Sequence, residues 1–175
     1  MAEYQKLTHG FGPYYDHGSR VLILGSFPSV KSREQQFFYG HPKNRFWPMI
    51  SAIFGKEEPK TIEEKKAFLE EAHLALYDVI EECEIKNSSD ASIKNPVVSD
   101  LPAILEKTQV SLILLNGKKA GDLFLRYQLP TLKTPIEYAI MPSTSPANAA
   151  VSMADLLHTW GTKLQKCSAC ACMFM

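Results

Sequence analysis

The side chains best suited to chemistry gather in two short stretches. Tyr39-Gly-His-Pro-Lys-Asn-Arg-Phe-Trp47 brings an aromatic ring, an imidazole, an amide and two cations into one loop, close behind Gly25-Ser-Phe-Pro-Ser29. Polar and aromatic groups carried on a loop by a rigid strand serve function more often than packing. Asn44 stands at the centre of that loop. A carboxamide is no base near neutral pH, so it acts only by hydrogen bonding and positioning. Its plain alternative is a helix N-cap, although Pro48 would then fall where a helical N–H should already be bonded. His41 reads as a loop brace rather than a general acid. The second stretch, Met141-Pro-Ser-Thr-Ser-Pro-Ala-Asn148, sets the hydroxyls of Ser143, Thr144 and Ser145 between prolines. Placed at a helix start, with free N–H groups and the positive dipole end, they would suit a phosphate. An ordinary cap by Ser145 is the alternative.

Such groups need elements to hold them. Val21–Leu24 is a short, fully apolar run ending at Gly25, as expected of a strand buried on both faces; the strand is read as Val21–Phe27, stopped by Pro28. Ligands sit at the carboxyl end of such strands. Phe46, Trp47, Ile50, Ile53 and Phe54 recur at helical spacing and close at Gly55, which puts a helix start near Asn44–Trp47. Thr61-Ile-Glu-Glu64 reads as a capping box opening a helix to about Ala72. Leu74–Val79 is a second strand, 81–95 a polar loop ending at Pro96, and Leu101–Lys107 a helix capped by Asp100. Val110–Leu115 is a third strand, Lys118–Tyr127 a helix opened by Gly117, and Glu137–Met141 a fourth strand. Ser145 with Pro146 is expected to start the last helix, whose buried stripe is Met153, Leu156, Leu157, Trp160 and Leu164. Residues 1–20 read as a turn-rich lead-in. Strands alternating with helices predict an α/β fold, a three-layer α/β/α sandwich around a four-stranded parallel sheet.

A chain of 175 residues, 45% apolar and 22% charged, is expected to form a single domain over 1–166 with a Cys-rich tail at 167–175. Nineteen basic and nineteen acidic residues cancel, which argues against a protein that coats nucleic acid nonspecifically. A smaller footprint fed by Lys31, Arg33, Lys43, Arg45, Lys118 and Lys119 stays open. No apolar run approaches the roughly 20 residues needed to cross a bilayer, and the N-terminus lacks the apolar core of a signal peptide. A cytoplasmic monomer is expected, nucleoid-associated if prokaryotic. Cys167-Ser-Ala-Cys-Ala-Cys172 has spacing that zinc or an iron–sulfur cluster can use. Free thiols in a reducing cytosol are the expectation, with no metal and no cofactor.

Gly25-Ser-Phe-Pro-Ser29 followed by Tyr39-Gly-His-Pro-Lys-Asn-Arg-Phe-Trp47 resembles the first motif of the uracil-DNA glycosylase superfamily, and within it the hypoxanthine-DNA (deoxyinosine) glycosylase branch. Mismatch-specific uracil glycosylases share the His-Pro-x-Asn-Arg-Phe-Trp part. Met141-Pro-Ser-Thr-Ser-Pro-Ala-Asn148 is similar to the second motif, and Leu76-Tyr-Asp-Val79 and Leu115-Asn-Gly-Lys-Lys-Ala120 resemble branch signatures. The likeness runs from about residue 18 to 166. It implies a monofunctional DNA glycosylase of base excision repair, with damaged DNA as partner and hypoxanthine as the excised base. Asn44 would be the catalytic residue, orienting a water or hydrogen-bonding the sugar or departing base. Phe27, Tyr39 and Asp78 would bind the base. Tyr39 would stack on it, and Asp78 would accept from hypoxanthine N1–H while facing the N1 lone pair of adenine. Ser29, Lys31, Ser32, Lys43, Ser143, Thr144 and Ser145 would contact the phosphates. Two departures stand out. Phe27 occupies the place of the superfamily's usual polar water activator, and Met141 that of a His or Asn. Other readings are a uracil or mismatch-specific glycosylase, and a nucleic-acid binder without catalysis.

Overall fold

The structure, a computed structural model, describes residues 3–86 and 89–172, with side chains at all of these except 90 and 166–172. The lead-in contains a strand, β1 (Gln5–Thr8). β2 (Val21–Gly25) is buried along its whole length. The short α1 (Val30–Gln35) is capped by Ser29, whose Oγ accepts from Ser32 N–H at 3.2 Å. α2 (Phe46–Phe54) places Pro48 in its first turn, where no N–H is missed, and ends on Gly55 at φ 63°. α3 (Ile62–Ala72) opens with the Thr61–Glu64 capping box. β3 (Leu74–Asp78), β4 (Ile80–Ile85) and β5 (Lys94–Val98) follow, then α4 (Leu101–Lys107), capped by Asp100 through Ala103 N–H at 3.2 Å. β6 (Leu112–Asn116), α5 (Lys118–Leu123), β7 (Glu137–Met141) and α6 (Met153–Cys172) complete the chain.

The expected parallel sheet is present, in the order β3-β2-β6-β7. Gly25 pairs with Asp78, Val21 with both Leu74 and Leu112, and Asn116 with Met141. In-register parallel strands bring their carboxyl ends to one edge, so Gly25, Asp78, Asn116 and Met141 share an end of the sheet. α2 packs on α6, α3 on β3, and α5 on β6 and β7. α5 reaches β7 closely because Gly121 has no side chain: a Cβ there would stand 2.6 Å from Ile140 Cδ1.

Three expectations need correction. Residues 81–85 are not loop, because β4 pairs antiparallel with β1 and with β5, which begins at Lys94, in a second, three-stranded sheet. Register shifts between Ile80, Glu82 and Glu84 break the alternation that would have betrayed β4. Pro96 is tolerated because β5 is an edge strand. Second, the last helix does not start at Ser145 but at Met153, with Ser152 Oγ accepting from Asp155 N–H at 3.1 Å. The intervening carbonyls of Asn148 and Val151 accept from the Arg45 guanidinium at 2.9 and 2.5 Å, which holds that stretch outside the helix. Third, the helix after Gly117 is regular only to Leu123 and continues as a wider turn over Phe124–Gln128. The reading of Cys167, Cys170 and Cys172 as thiols or ligands falls on side chains outside the described ones. Among the described residues no group of three or more His, Cys, Asp or Glu is arranged to hold a metal ion, and no helix is long and apolar enough to cross a membrane.

Candidate active site

A cleft of about 430 Å³ opens at the carboxyl end of the parallel sheet. The loop after β2 supplies Gly25 to Ser29, Phe38, Tyr39 and Asn44; the ends of β3 and β6 supply Asp78 and Asn116; the turn after β7 supplies Ser143 to Ser145. Ser89 and Ala91, between β4 and β5, complete the wall.

Asn44 is joined to the far end of the chain by a hydrogen-bond relay whose direction can be read from backbone donors. Its Oδ1 accepts from Phe46 N–H at 2.9 Å and from the Thr144 hydroxyl at 2.9 Å. A backbone N–H can only donate, so the amide atom facing it is the oxygen. Asn116 is oriented the same way: its Oδ1 accepts from Thr144 N–H at 3.0 Å, and its Nδ2 donates to Thr144 Oγ1 at 3.0 Å. Thr144 is fully buried and therefore spends its own proton on Asn44. The relay runs one way, Asn116 to Thr144 to Asn44. Both lone-pair directions of Asn44 Oδ1 are used, while its Nδ2 makes no hydrogen bond among the described residues. Asn44 thus serves partly as the cap weighed above, and it still offers the cleft an N–H donor rather than an acceptor. Arg45, which the sequence groups with the surface cations, reinforces this junction. Its N–H donates to Thr144 O at 3.0 Å and its guanidinium holds the loop at Asn148 and Val151.

Tyr39 lines the cleft in a left-handed conformation, φ 55°, which is strained for a side chain of this size. Its ring lies stacked on Phe46, centroids 4.2 Å apart. The buried hydroxyl makes no hydrogen bond of good geometry among the described residues. Burial, and then the charge of Asp78, push this phenol far above its ordinary pKa, with the Asn116 side chain working the other way. Asp78 is buried, and it caps no turn: Val79 and Ile80 N–H donate instead to the carbonyls of Gly25 and Ser26 at 2.8 and 3.0 Å. Its carboxylate lies so near Gly25 that a Cβ there would come 2.4 Å from Oδ1. Phe27 lines the cleft beneath the Arg33 guanidinium, 5.7 Å from the ring centre. Met141 is buried and does not line the cleft.

The expected phosphate residues divide. Ser29, Ser32, Ser143, Thr144 and Ser145 all line the cleft. Ser32 Oγ is engaged with Gly40 N–H at 3.0 Å, and Thr144 is consumed by the relay. Ser143 and Ser145 accept from Ser145 and Ala147 N–H at 3.1 and 3.2 Å, which leaves their hydroxyl protons to donate. The helix dipole that was to assist them is absent, since α6 starts later. Lys31 and Lys43 are exposed outside the cleft lining, Lys31 within 3.5 Å of Glu34. His41 Nδ1 accepts from Lys43 N–H at 3.1 Å, a brace as expected.

Two residues of the site were given no role by the sequence reading, although Asn116 lies inside one of its motifs. Asn116 ends β6 as Asp78 ends β3, and the rule that strand ends line the site could have singled it out. His9 carries no such local signal. Its Nε2 lies 2.7 Å from Asp78 Oδ2 across 69 positions of chain.

The family model of the Uracil DNA glycosylase superfamily matches residues 12–163. The chain is 30% identical over 148 residues to a protein from Methanosarcina acetivorans named hypoxanthine DNA glycosylase, covering 83% of this chain and 91% of the relative. A protein of the same name from Methanosarcina barkeri is 29% identical over 141 residues, covering 79% and 87%. Among solved structures, the solution NMR structure of a candidate uracil DNA glycosylase from Methanosarcina acetivorans superposes with a TM-score of 0.72 at 28% identity, covering 88% of this chain and 98% of that one.

Proposed function

The chain belongs to the uracil DNA glycosylase superfamily and is a DNA glycosylase, and from that premise we propose that it excises hypoxanthine from DNA by hydrolysis of the N-glycosidic bond. The observation that carries the reading is the Asn44 amide, turned by its two donors so that Nδ2 is left for the cleft. As the glycosidic bond breaks, its electron pair stays with the purine and the sugar becomes oxocarbenium-like. A fixed N–H donor then gains strength as negative charge grows on the departing base, so it favours the transition state over the ground state. Water adds to the sugar carbon, and the proton it gives up ends on the departing purine anion, which is released as neutral hypoxanthine. The base is held out of the stack, beside Phe27 and the ring of Tyr39, where a base–aromatic stack is worth about 1–3 kcal/mol. Asp78 accepts from hypoxanthine N1–H and confronts the N1 lone pair of adenine. A pocket built round one hydrogen bond rejects the base that cannot make it. An accepting carboxylate also raises electron density on the leaving base, so departure depends all the more on Asn44.

Among the described residues no lysine lines the cleft, which supports a monofunctional enzyme without Schiff-base chemistry. The Ser143 and Ser145 hydroxyls remain as the donors for a flanking phosphate. The test is incubation with duplexes carrying hypoxanthine, uracil or xanthine, followed by alkaline cleavage of abasic sites. Hypoxanthine is expected to be released fastest; faster release of uracil would overturn the substrate, and strand breaks before alkali would overturn monofunctional chemistry.

A further inference from the structure

We infer that His9 is a positioning residue for base selection: from behind the cleft wall it holds the Asp78 carboxylate as a fixed hydrogen-bond acceptor. The inference rests on the hypoxanthine reading above and extends it to a residue outside the span 12–163 matched by the family model. His9 is 3% exposed, and its Nε2 stands 2.7 Å from Asp78 Oδ2. An ionised carboxylate only accepts, so the proton of this bond is on Nε2. Among the described residues no other side chain hydrogen-bonds that carboxylate. With Oδ2 engaged, Oδ1 stays against Gly25, at the wall facing the base.

The imidazole is itself immobilised. Its ring sits among Phe11, Tyr77, Phe38 and Phe27, with centroids 4.4, 4.7, 6.1 and 6.2 Å away, and its backbone N–H donates to Glu81 O at 2.7 Å. Its Nδ1 is buried with no hydrogen-bond partner among the described residues. Leaving a buried nitrogen unsatisfied costs free energy, so a role in packing alone would be better filled by Leu or Phe. The bond to Asp78 is what distinguishes histidine here. Without it, Oδ2 would be buried with no partner and the carboxylate would be free to turn away from Gly25. Oδ1 would then no longer be fixed where it can accept from N1–H, and the grip on hypoxanthine would be lost together with the discrimination.

The experiment is single-turnover excision from a hypoxanthine duplex by wild type, His9→Leu, His9→Gln and Asp78→Asn, and by His9→Leu combined with Asp78→Asn. His9→Leu is expected to slow excision about 10- to 100-fold, the span of one hydrogen bond to a charged group. His9→Gln, whose terminal N–H can reach the same oxygen, should restore most of the rate. In the already slow Asp78→Asn background, His9→Leu should change nothing further. Equal rates for wild type and His9→Leu, no difference between Gln and Leu, or additive losses in the double variant would each overturn the inference. If His9→Leu fails to fold by circular dichroism, His9→Gln against the shorter His9→Asn makes the same comparison. Wild-type protein inert on hypoxanthine would sink the substrate reading and this inference together, whereas an active enzyme indifferent to His9 sinks the inference alone.

Discussion

Replacing Thr144 with valine removes one oxygen from the relay and hardly changes its volume. Thr144 is fully buried, so no water replaces the hydroxyl without a rearrangement. Two hydrogen bonds vanish, Thr144 to Asn44 at 2.9 Å and Asn116 to Thr144 at 3.0 Å. At a net 0.5–1.5 kcal/mol each, they amount to about 1–3 kcal/mol of stability, visible as a lowered melting temperature in a protein still folded. The catalytic loss has a separate origin. Asn44 Oδ1 retains only the Phe46 N–H, a single anchor about which the amide can swing, so its Nδ2 is no longer held at one point. Looser positioning of the donor should cost about 10- to 100-fold in single-turnover excision, with affinity for undamaged duplex hardly altered. Thr144→Ser keeps the hydroxyl and should recover most of the rate. Excision at the wild-type rate by Thr144→Val, or equally poor excision by both variants, would refute the relay as the device that orients Asn44.

Asn44→Asp keeps the oxygen that accepts from Phe46 and Thr144 but replaces the free N–H₂ with a second acceptor; single-turnover excision should fall at least as far as in Asn44→Ala, and an active Asp variant would show that the residue works by accepting from water. Gly25→Ala would set a Cβ 2.4 Å from Asp78 Oδ1 and displace the carboxylate, so hypoxanthine excision should drop while a non-specific duplex still binds; an Ala variant with full activity would remove Asp78 from base reading. Arg45→Met loses two charge-assisted bonds to Asn148 and Val151 and should destabilise the fold by roughly 3–6 kcal/mol, read from chemical denaturation. DNA affinity should depend only shallowly on salt, with a log–log slope near −1 to −2 at about −0.9 per phosphate contact, because Arg45 is spent inside the fold and Lys31 and Lys43 remain at its surface; a slope of about −5 would reveal a larger basic footprint.

The parallel sheet was legible because each of its inner strands is a run of apolar residues with no polar face, and such runs have few other fates in water. The Thr61 and Asp100 caps and the Gly55 stop were legible for a similar reason, since each interaction closes within one helical turn. The second sheet was not. Glu81, Glu82 and Glu84 read as loop because the register shifts in β4 destroy its period, and because a strand solvated on one face needs no apolar run.

Within the site, the resemblance of the motifs to the uracil-DNA glycosylase superfamily pointed to Asn44, Tyr39, Asp78 and Ser143 to Ser145, which line one cleft. The same resemblance marked Phe27 and Met141 as departures. Position along the chain says nothing of which end of an amide faces inward. That choice depends on donors 2 and 100 positions away, Phe46 N–H and Thr144 Oγ1. The start of α6 was missed for a related reason. Ser145-Pro146 is a sound local helix start, overruled by an arginine 103 and 106 positions upstream of the carbonyls it holds. His9 reaches Asp78 only because β1 pairs with β4 and carries the lead-in across the end of β3. Local chemistry determined the sheet, most of the helices and the identity of the polar groups. Their direction, and which of them remain free to meet a substrate, were decided by hydrogen bonds between distant segments, which exist only once the chain has closed.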